Sequence, residues 1–600
     1  MSDRHTDDGW PLGWIVALIG LLLVAPMAAP GYWWGAHDAR HAVYFLFEFS
    51  KSIADGIWWP RWSPDFAFGY GYPFFNVYGP LSAFVGQAWH SLGFDLVSAT
   101  KASFALTMPL SGLAMYGFVK RLAGRGAGLV AAVVYMALPY HLAVLYVRAA
   151  MAEAWAFVFF PLVLWGFYAV ATAPRPRTIA LTALAYGGFF LAHPGLAMQA
   201  TLLLIPWTLL WLLRALGEWR SLLTRTLAAA ATALLGVVAA AIFVLPWLAE
   251  SGYVNQEQWF AGYFNYSQHF IAPWQLLSPL WDFGTSEAGV VNDRFPFQLG
   301  IVPLLLATVG WMRLIREPRV RHGRIFFTAL LAVALFLMVP ASRWLWDSPF
   351  GQLILKPMQF PWRFLILSSV ALAPLAGLSA WRLRPRWALL FAALMLIGSW
   401  GYLRVERIAP AEGPVGIAGL MRFQQSAGEL TGQSACVALA DIPTWSPLAE
   451  LWVQGEDVTS RFDYGLLAEG AWAGNAQQRT TQEITEVQLP DAQRVGWLIT
   501  DFPGWHVYQL ALDSDAIIEE LPIIQAERSC HIQVEAPAGH YRLLVRFENT
   551  PVRVVGQWLS ALGLLGVALL LIIDKATASG ALRRRVIAER GVKQGHSVGE

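Results

Sequence analysis

Long apolar runs alternate with short polar connectors along this chain, and twelve of them approach the ~20 residues a helix needs to cross the hydrocarbon core of a bilayer. They fall near residues 12–29, 99–119, 127–146, 154–173, 178–193, 196–213, 226–248, 299–315, 325–341, 364–381, 387–403 and 554–573. The pattern predicts a polytopic α-helical membrane protein with about 12 transmembrane helices. The small residues after the first run, Ala-Pro-Met-Ala-Ala, resemble a signal-peptidase site. The segment ahead of that run is acidic as well as basic, which argues for a retained span. Two stretches carry a second reading: "FNVYGPLSAFVGQAW", around residues 76–95, suits a re-entrant helix, and "LAHPGL" suits a kink inside one longer helix.

Residues 404–553 form the one long segment not apolar enough to span. Apolar and polar residues alternate there in short runs such as "RVGWLITDF" and "GHYRLLVRF", separated by Pro and Gly, which predicts a mostly-β domain of sandwich type. The division expected is therefore a membrane module over 1–403 with a first outer loop at 31–95, the β-rich domain at 404–553, a final membrane helix at 554–573 and a tail at 574–600. Two further loops, at 250–298 and 343–363, share the side of the β domain, and the last fifteen or so residues are polar enough to predict disorder.

Charge placement sets the orientation. Lys120, Arg121, Arg125, Arg175, Arg177, Arg214, Arg220 and Arg225 fall in connectors on one side, as do Arg313, Arg316, Arg319, Arg321, Arg324, Arg382, Arg384, Arg386, Lys575 and Arg583 to Arg585. By the positive-inside rule that side is cytoplasmic, so both termini are cytoplasmic and the β-rich domain is extracytoplasmic. A content of 56% hydrophobic and 14% charged residues, with a mean hydropathy of +0.46, excludes a soluble enzyme. The 30 Trp suit interfacial anchoring, and also the walls of sites for sugars or lipid tails. The two cysteines, Cys436 and Cys530, both lie in the β-rich segment, where an oxidising compartment permits a disulfide and two buried thiols are the alternative.

Candidate chemistry concentrates on the outer side. The first outer loop places His37, Asp38, Arg40 and His41 just beyond the first span, with Asp38 and His41 three apart, as on one helical face. A carboxylate at a partly desolvated surface can act as a general base or hold a cation; the structural alternative is a helix cap. Arg61, within "WWPRWSPDFAFGYGYP", suits a phosphate, and the surrounding rings suit an isoprenoid tail or a sugar. Arg148 and Glu153 sit where one span leaves the membrane and the next re-enters, a costly place for charge unless it is paired or used. His193 precedes Pro194 at an outer span end, and Lys356, Gln359 and Arg363 reach the outer mouth of another in "KPMQFPWRFL". Two cations there suit a phosphate clamp or headgroup anchoring. There is no Walker loop, dinucleotide fingerprint, metal-type Cys/His spacing or nucleophile elbow, which disfavours ATP-driven work by this chain.

The segments "HDARH", "PRWSPDFAFGYGYPFFNVYGPL", "VRAAMAEAWA", "QFPWRFL", "PGWHVYQL" and "AGHYRLLVRFENTPVRVVGQWLS" carry a resemblance that spans about residues 30–573. The chain resembles the C-class (GT-C) integral membrane glycosyltransferases. It is more closely similar to the bacterial membrane proteins called 6-pyruvoyl-tetrahydropterin synthase-related, a name that implies no pterin chemistry, and to the neighbouring YfhO-type proteins. The resemblance implies inversion at a sugar anomeric carbon, a polyprenyl-phosphate sugar as donor, and an acceptor hydroxyl deprotonated by a first-loop acid. Asp38 matches that position. Many such enzymes carry a second acid beside the first, whereas the neighbours here are His37 and Ala39; Glu153, Asp282 and Asp293 are the candidates to replace it.

The expectation is thus a GT-C-like enzyme of the bacterial inner membrane. Asp38, His41 and Glu153 would form the catalytic group; His37, Arg40, Arg61, Arg148, His193, Lys356, Gln359 and Arg363 would bind substrate. A divalent cation, Mg or Mn, is compatible with Asp38. The partners expected are the lipid-linked donor, a glycan, lipid or protein acceptor, and membrane lipids, with no nucleic acid. A lipid-linked glycan flippase and a non-catalytic glycan-binding scaffold are the alternatives. The gathering of polar groups at one membrane face, without visible inverted repeats, disfavours the flippase.

Overall fold

A computed structural model describes residues 10–290, 294–428 and 432–595, with side chains from Leu12 to Thr577. Among the described residues seven helices are long and apolar enough to cross a membrane: Leu96–Ala123, Met151–Thr172, Pro194–Ala215, Trp219–Ala239, Arg321–Met338, Pro361–Ala380 and Pro551–Thr577. Arg125–Ala137 and Pro139–Arg148, bent by 43° at their junction, make an eighth if taken as one span. The remaining apolar runs are also helical but shorter: Leu12–Leu23, Pro176–Ala192, Ile301–Arg313 and Pro385–Ser399. Helix length alone therefore supports fewer crossings than the twelve expected.

Local chemistry explains where these helices begin and break. Asp95 caps Leu96–Ala123 by accepting the N–H groups of Val97 and Ser98, each at 3.0 Å. "LAHPGL" ends one helix and starts another, since His193 is extended and its Nδ1 accepts the Leu196 N–H at 3.3 Å. "FNVYGPLSAFVGQAW" yields the 11-residue helix Leu81–Ser91, too short to cross. Close packing rests on small residues: a Cβ at Gly377 would lie 2.6 Å from the Ala127 carbonyl oxygen. The final helix, Pro551–Gly595, runs through most of the tail expected to be disordered, and residues 596–600 lie outside the described residues.

The outer segment divides in two. Its second half holds β1 (Trp472–Arg479), β2 (Gln482–Leu489), β3 (Gln493–Thr500), β4 (Trp505–Leu510), β5 (Ile517–Leu521), β6 (Ile524–Gln525), β7 (His531–Ala536) and β8 (Gly539–Phe547). Five strands pair antiparallel in the order β1-β2-β8-β4-β5, and three in the order β3-β7-β6. Val487, Leu543 and Val545 of the first sheet share one apolar core with Val495, Trp497, Ile532 and Val534 of the second, as in a sandwich. The first half is helical instead, with Ile417–Ala427 and Pro447–Gln454. Cys436 and Cys530 are joined by a disulfide that ties this half to the start of β7.

The first outer loop is no free connector, because its rings form a core with the two outer helices. Phe45, Phe66, Phe68, Tyr72 and Phe74 pack with Leu420, Phe423, Leu448 and Trp452. The glycines of "GYGYP" make this packing possible: Gly69 has φ +97°, and a Cβ there would lie 2.7 Å from the Trp452 ring. Two buried polar networks pin the same loop. In one, Asp65 accepts from Arg461 Nη2 at 2.7 Å and pairs with Lys51, while Glu48 accepts the Asp65 N–H at 3.2 Å. Burial lifts the Glu48 carboxyl well above its usual range, and the Asp65 charge lifts it further. Burial also raises Asp65, but Lys51 and Arg461 outweigh it and hold Asp65 low. In the other network, Arg61 donates to Asn76 Oδ1 at 3.0 Å and to the Ile242 carbonyl at 2.8 Å; Asn76 donates to Glu250 at 2.6 Å, and Arg553 Nε reaches Glu250 at 3.0 Å.

Two outcomes follow for stability. Removing the bridge as Cys436→Ala with Cys530→Ala lowers stability by about 2–4 kcal/mol, read as a lower unfolding temperature in detergent. A raised folded pKa gives Glu48 a contribution that is present at low pH and lost as pH rises through it; the lowered pKa of Asp65 gives one lost as pH falls below about 4. Glu48→Gln, which mimics the protonated acid, therefore flattens the alkaline fall in unfolding temperature. Asp65→Asn lowers stability by about 3–5 kcal/mol at neutral pH, because it strands Arg461.

Candidate functional site

The site begins with a broken helix. Pro139 follows the break at Leu138, and the chain then unwinds into a π-helical turn, Val144–Arg148, closed by Ala149 in the left-handed region at φ +52°. This turn exposes carbonyls that the first outer loop captures: the His37 N–H donates to the Val147 carbonyl at 3.2 Å, and the Asp38 N–H to the Arg148 carbonyl at 2.6 Å. Asp38 is thereby fixed against the end of a membrane helix. It occupies the N-cap of Ala39–Ala54, yet its side chain makes no capping bond, so the half-buried carboxylate is left for other work.

Cations and hydrogen-bond donors gather around it. Arg148 is buried, paired with Glu153 and bonded to the Tyr140 hydroxyl at 3.2 Å; that hydroxyl donates to Glu153 Oε1 at 2.5 Å. The Arg148 guanidinium lies 5.0 Å from the Trp362 ring centroid. Arg363 donates to Gln359 Oε1 at 2.7 Å and to the Met358 carbonyl at 3.1 Å, while Gln359 Nε2 holds the Trp259 carbonyl at 2.8 Å. The Asp38 charge reaches both Arg148 and Arg363, and the charges of Glu153, Arg363 and Arg148 reach His193. His37 lies with its Nε2 3.4 Å from the Phe283 carbonyl. Burial lowers its pKa against the pull of Asp38, and Arg148 lowers it further, so the imidazole is neutral at pH 7.

Two donors here lack hydrogen-bond partners among the described residues: Arg363 Nε and the indole N–H of Trp362. Buried donors are costly when unmet, so these mark a place where a ligand's oxygens fit. Asp38, His37, Arg148, Glu153, His193, Gln359 and Arg363 thus converge. Four other expected residues are engaged elsewhere. Arg40 pairs with Glu412 and reaches Ser426 at 2.9 Å; the His41 ring stands edge-on to Phe423 at 4.9 Å. Arg61 belongs to the Glu250 network, and Lys356 lies over Phe260 at 5.1 Å. Tyr140 and Trp362 join the site without having been singled out in the sequence; the signal was their place beside a break or a charge in an apolar run.

The second acid is Glu153 only in the sense of proximity, since Arg148 and Tyr140 occupy it. Asp282 is paired with Arg294 at 2.6 Å in the outer loop, and Asp293 lies outside the described residues. Among the described residues no three His, Cys, Asp or Glu side chains converge as metal ligands. A divalent cation at Asp38 would accordingly draw most of its ligands from water or a bound phosphate.

Breaking the buried pair from one side leaves an unpaired charge. Glu153→Gln is expected to destabilise the protein by about 3–5 kcal/mol, and Arg148→Met with Glu153→Gln by less than the sum of the singles. A double-mutant cycle on unfolding temperature checks this; additive losses would mean that the two do not act as a pair.

No curated protein matches this sequence. Two solved structures of arabinofuranosyltransferase AftD from Mycobacteria, one of them a mutant, are similar at 17% and 16% identity with TM-scores of 0.42 and 0.43. They cover 67% of this chain, which spans only about a quarter of theirs, 26% and 28%. The crystal structure of ArnT from Cupriavidus metallidurans bound to undecaprenyl phosphate is similar at 16% identity and a TM-score of 0.37, covering 73% of this chain and 68% of that one. A family profile matches residues 73–428, more than half of the chain; Arg148, Glu153, His193 and Arg363 lie inside the match and Asp38 ahead of it. The chain therefore belongs to the family of unknown function DUF6541.

Proposed function

We propose that this protein is a membrane glycosyltransferase that moves a sugar from a polyprenyl-phosphate donor to an acceptor hydroxyl at the outer face of the bacterial inner membrane. The observation that carries the reading is the convergence of one carboxylate free of a capping bond, the buried Arg148, the half-buried Arg363 and two unmet donors at the end of a broken apolar helix. The motif resemblance supplies the reaction class, and this cluster supplies the groups it needs.

In this reading the acceptor oxygen attacks the anomeric carbon and its proton passes to the Asp38 carboxylate. The bond from that carbon to the phosphate oxygen breaks, and the electron pair leaves with the lipid phosphate. Arg363 and Arg148 then face the charge that develops on the leaving group, an electrostatic contribution that is strong in a site shielded from water. Glu153 holds the Arg148 guanidinium in place. His193, beside the same charges, acts as a neutral donor or acceptor to the phosphate. Twelve crossings with both termini in the cytoplasm satisfy the positive-inside rule, and the Cys436–Cys530 disulfide fits an oxidising outer compartment.

Release of polyprenyl phosphate from a panel of polyprenyl-phosphate sugars by the purified protein in nanodiscs tests the proposal. Asp38→Asn, which keeps the side chain's size, is expected to lower turnover by about 10²–10⁴-fold. Equal turnover in both proteins would end the Asp38 assignment. No turnover with any donor would favour a transporter or a glycan-binding scaffold.

A further inference from the structure

Away from the Asp38 cluster, the outer domain holds a cavity of ≈ 340 Å³ where the loop leaving the membrane module meets the sandwich. Its walls mix rings with hydrogen-bonding groups: Tyr253, Phe502 and Trp505 on one count, Ser434, Asp501 and Gln525 on the other. Its volume falls in the lower part of the ~300–1,000 Å³ range of small-molecule sites.

The cavity is preformed and braced from several directions. Val254 and Ser434 form a β-bridge, flanked by bonds of 2.8 Å from the Asn255 N–H to the Gln433 carbonyl and from the Ala435 N–H to the Tyr253 carbonyl. Cys436, itself in the wall, is tethered to Cys530. From below, Arg553 Nη2 holds the Pro503 carbonyl at 2.7 Å. Gln525 Nε2 orients the Asp501 carboxylate at 2.7 Å, and the Ser434 hydroxyl holds the Asp501 carbonyl at 2.9 Å. Trp505 is only 5% exposed, and its indole N–H has no hydrogen-bond partner among the described residues. Tyr253, at 53% exposed, stands at the mouth with its ring edge-on to Phe502 at 6.2 Å.

We infer that this cavity binds a neutral saccharide. A sugar ring offers apolar C–H faces to the Tyr253 and Phe502 rings and hydroxyls to the Asp501 carboxylate and the Gln525 amide, which is the combination present here. The Asp501 charge disfavours phosphates and uronates, and the polar share of the wall, Ser434, Asp501 and Gln525, disfavours an alkyl chain. Saccharide binding stands by itself; calling the bound sugar the acceptor rests on the transferase reading above.

The test uses the full-length protein in nanodiscs and saturation-transfer-difference NMR with neutral oligosaccharides of two to four hexose, pentose or N-acetylhexosamine rings. At least one of them is expected to bind, with affinity falling tenfold or more in Tyr253→Ala and in Asp501→Asn and unchanged in Asp38→Asn. Unfolding temperatures of the two cavity variants, compared with wild type, separate lost contacts from lost folding. Because Asp38→Asn should keep binding whether or not the protein turns over a donor, failure of the transferase reading leaves this inference standing. Binding of none of these sugars, equal binding by the folded cavity variants, or tighter binding of uronate oligosaccharides would overturn it.

Discussion

A positive charge buried at the end of an apolar helix must find a partner, and the pairing of Arg148 with Glu153 is the constraint on which the site is built. The pair lies across the turn between two membrane helices, with Tyr140 bridging both residues. A regular helix would keep its terminal carbonyls closer to its own axis. The break after Leu138 and the π-turn instead present the Val147 and Arg148 carbonyls sideways, and the first outer loop docks on them through the N–H groups of His37 and Asp38. The carboxylate is thus positioned by main-chain bonds, which do not depend on a flexible side chain.

The segments packed around it serve to hold that loop in place. Beyond Asp38 the helix Ala39–Ala54 buries Tyr44, Phe45 and Phe49 against the outer helices, and its Arg40 turns to Glu412. Farther on, Asp65 ties the loop to Arg461 just ahead of the sandwich, and Arg61 and Asn76 tie it to Glu250 and Arg553 at the foot of the last membrane helix. Membrane module, loop and outer domain are joined by charges that are costly to bury alone, which makes their mutual placement specific.

Much of this was legible in the sequence for a simple reason: charges and breaks stand out in an apolar run. Asp38, Arg148, Glu153, His193 and Arg363 were visible as ionisable groups where the membrane makes them expensive, and Pro139 and Pro194 as places where a helix must stop. Spacing could not tell phosphate ligands from structural ions. Arg40 and Arg61 look alike on that count, and their partners lie far along the chain, Glu412 for Arg40 and the Ile242 carbonyl for Arg61. Glu48 and Asp65 were hidden in the same way, since nothing local shows that Arg461 will reach Asp65 or that Glu48 will meet the Asp65 N–H. The β period gave the strands of 472–547, while the helices at 417–427 and 447–454 owe their place to the loop they cover. Trp362 looked like an interfacial anchor, and only its ring under the Arg148 guanidinium sets it apart.

In the proposed reaction Asp38, Arg148 and Arg363 surround one phosphate-bearing ligand. A cryo-EM structure of the protein in nanodiscs with a non-transferable phosphonate analogue of a polyprenyl-phosphate sugar tests this. Phosphonate oxygens are expected within about 3 Å of Arg363, with the anomeric carbon turned toward the Asp38 carboxylate. A headgroup bound on the far side of the membrane, or an analogue that leaves the Asp38–Arg363 space empty, would contradict it.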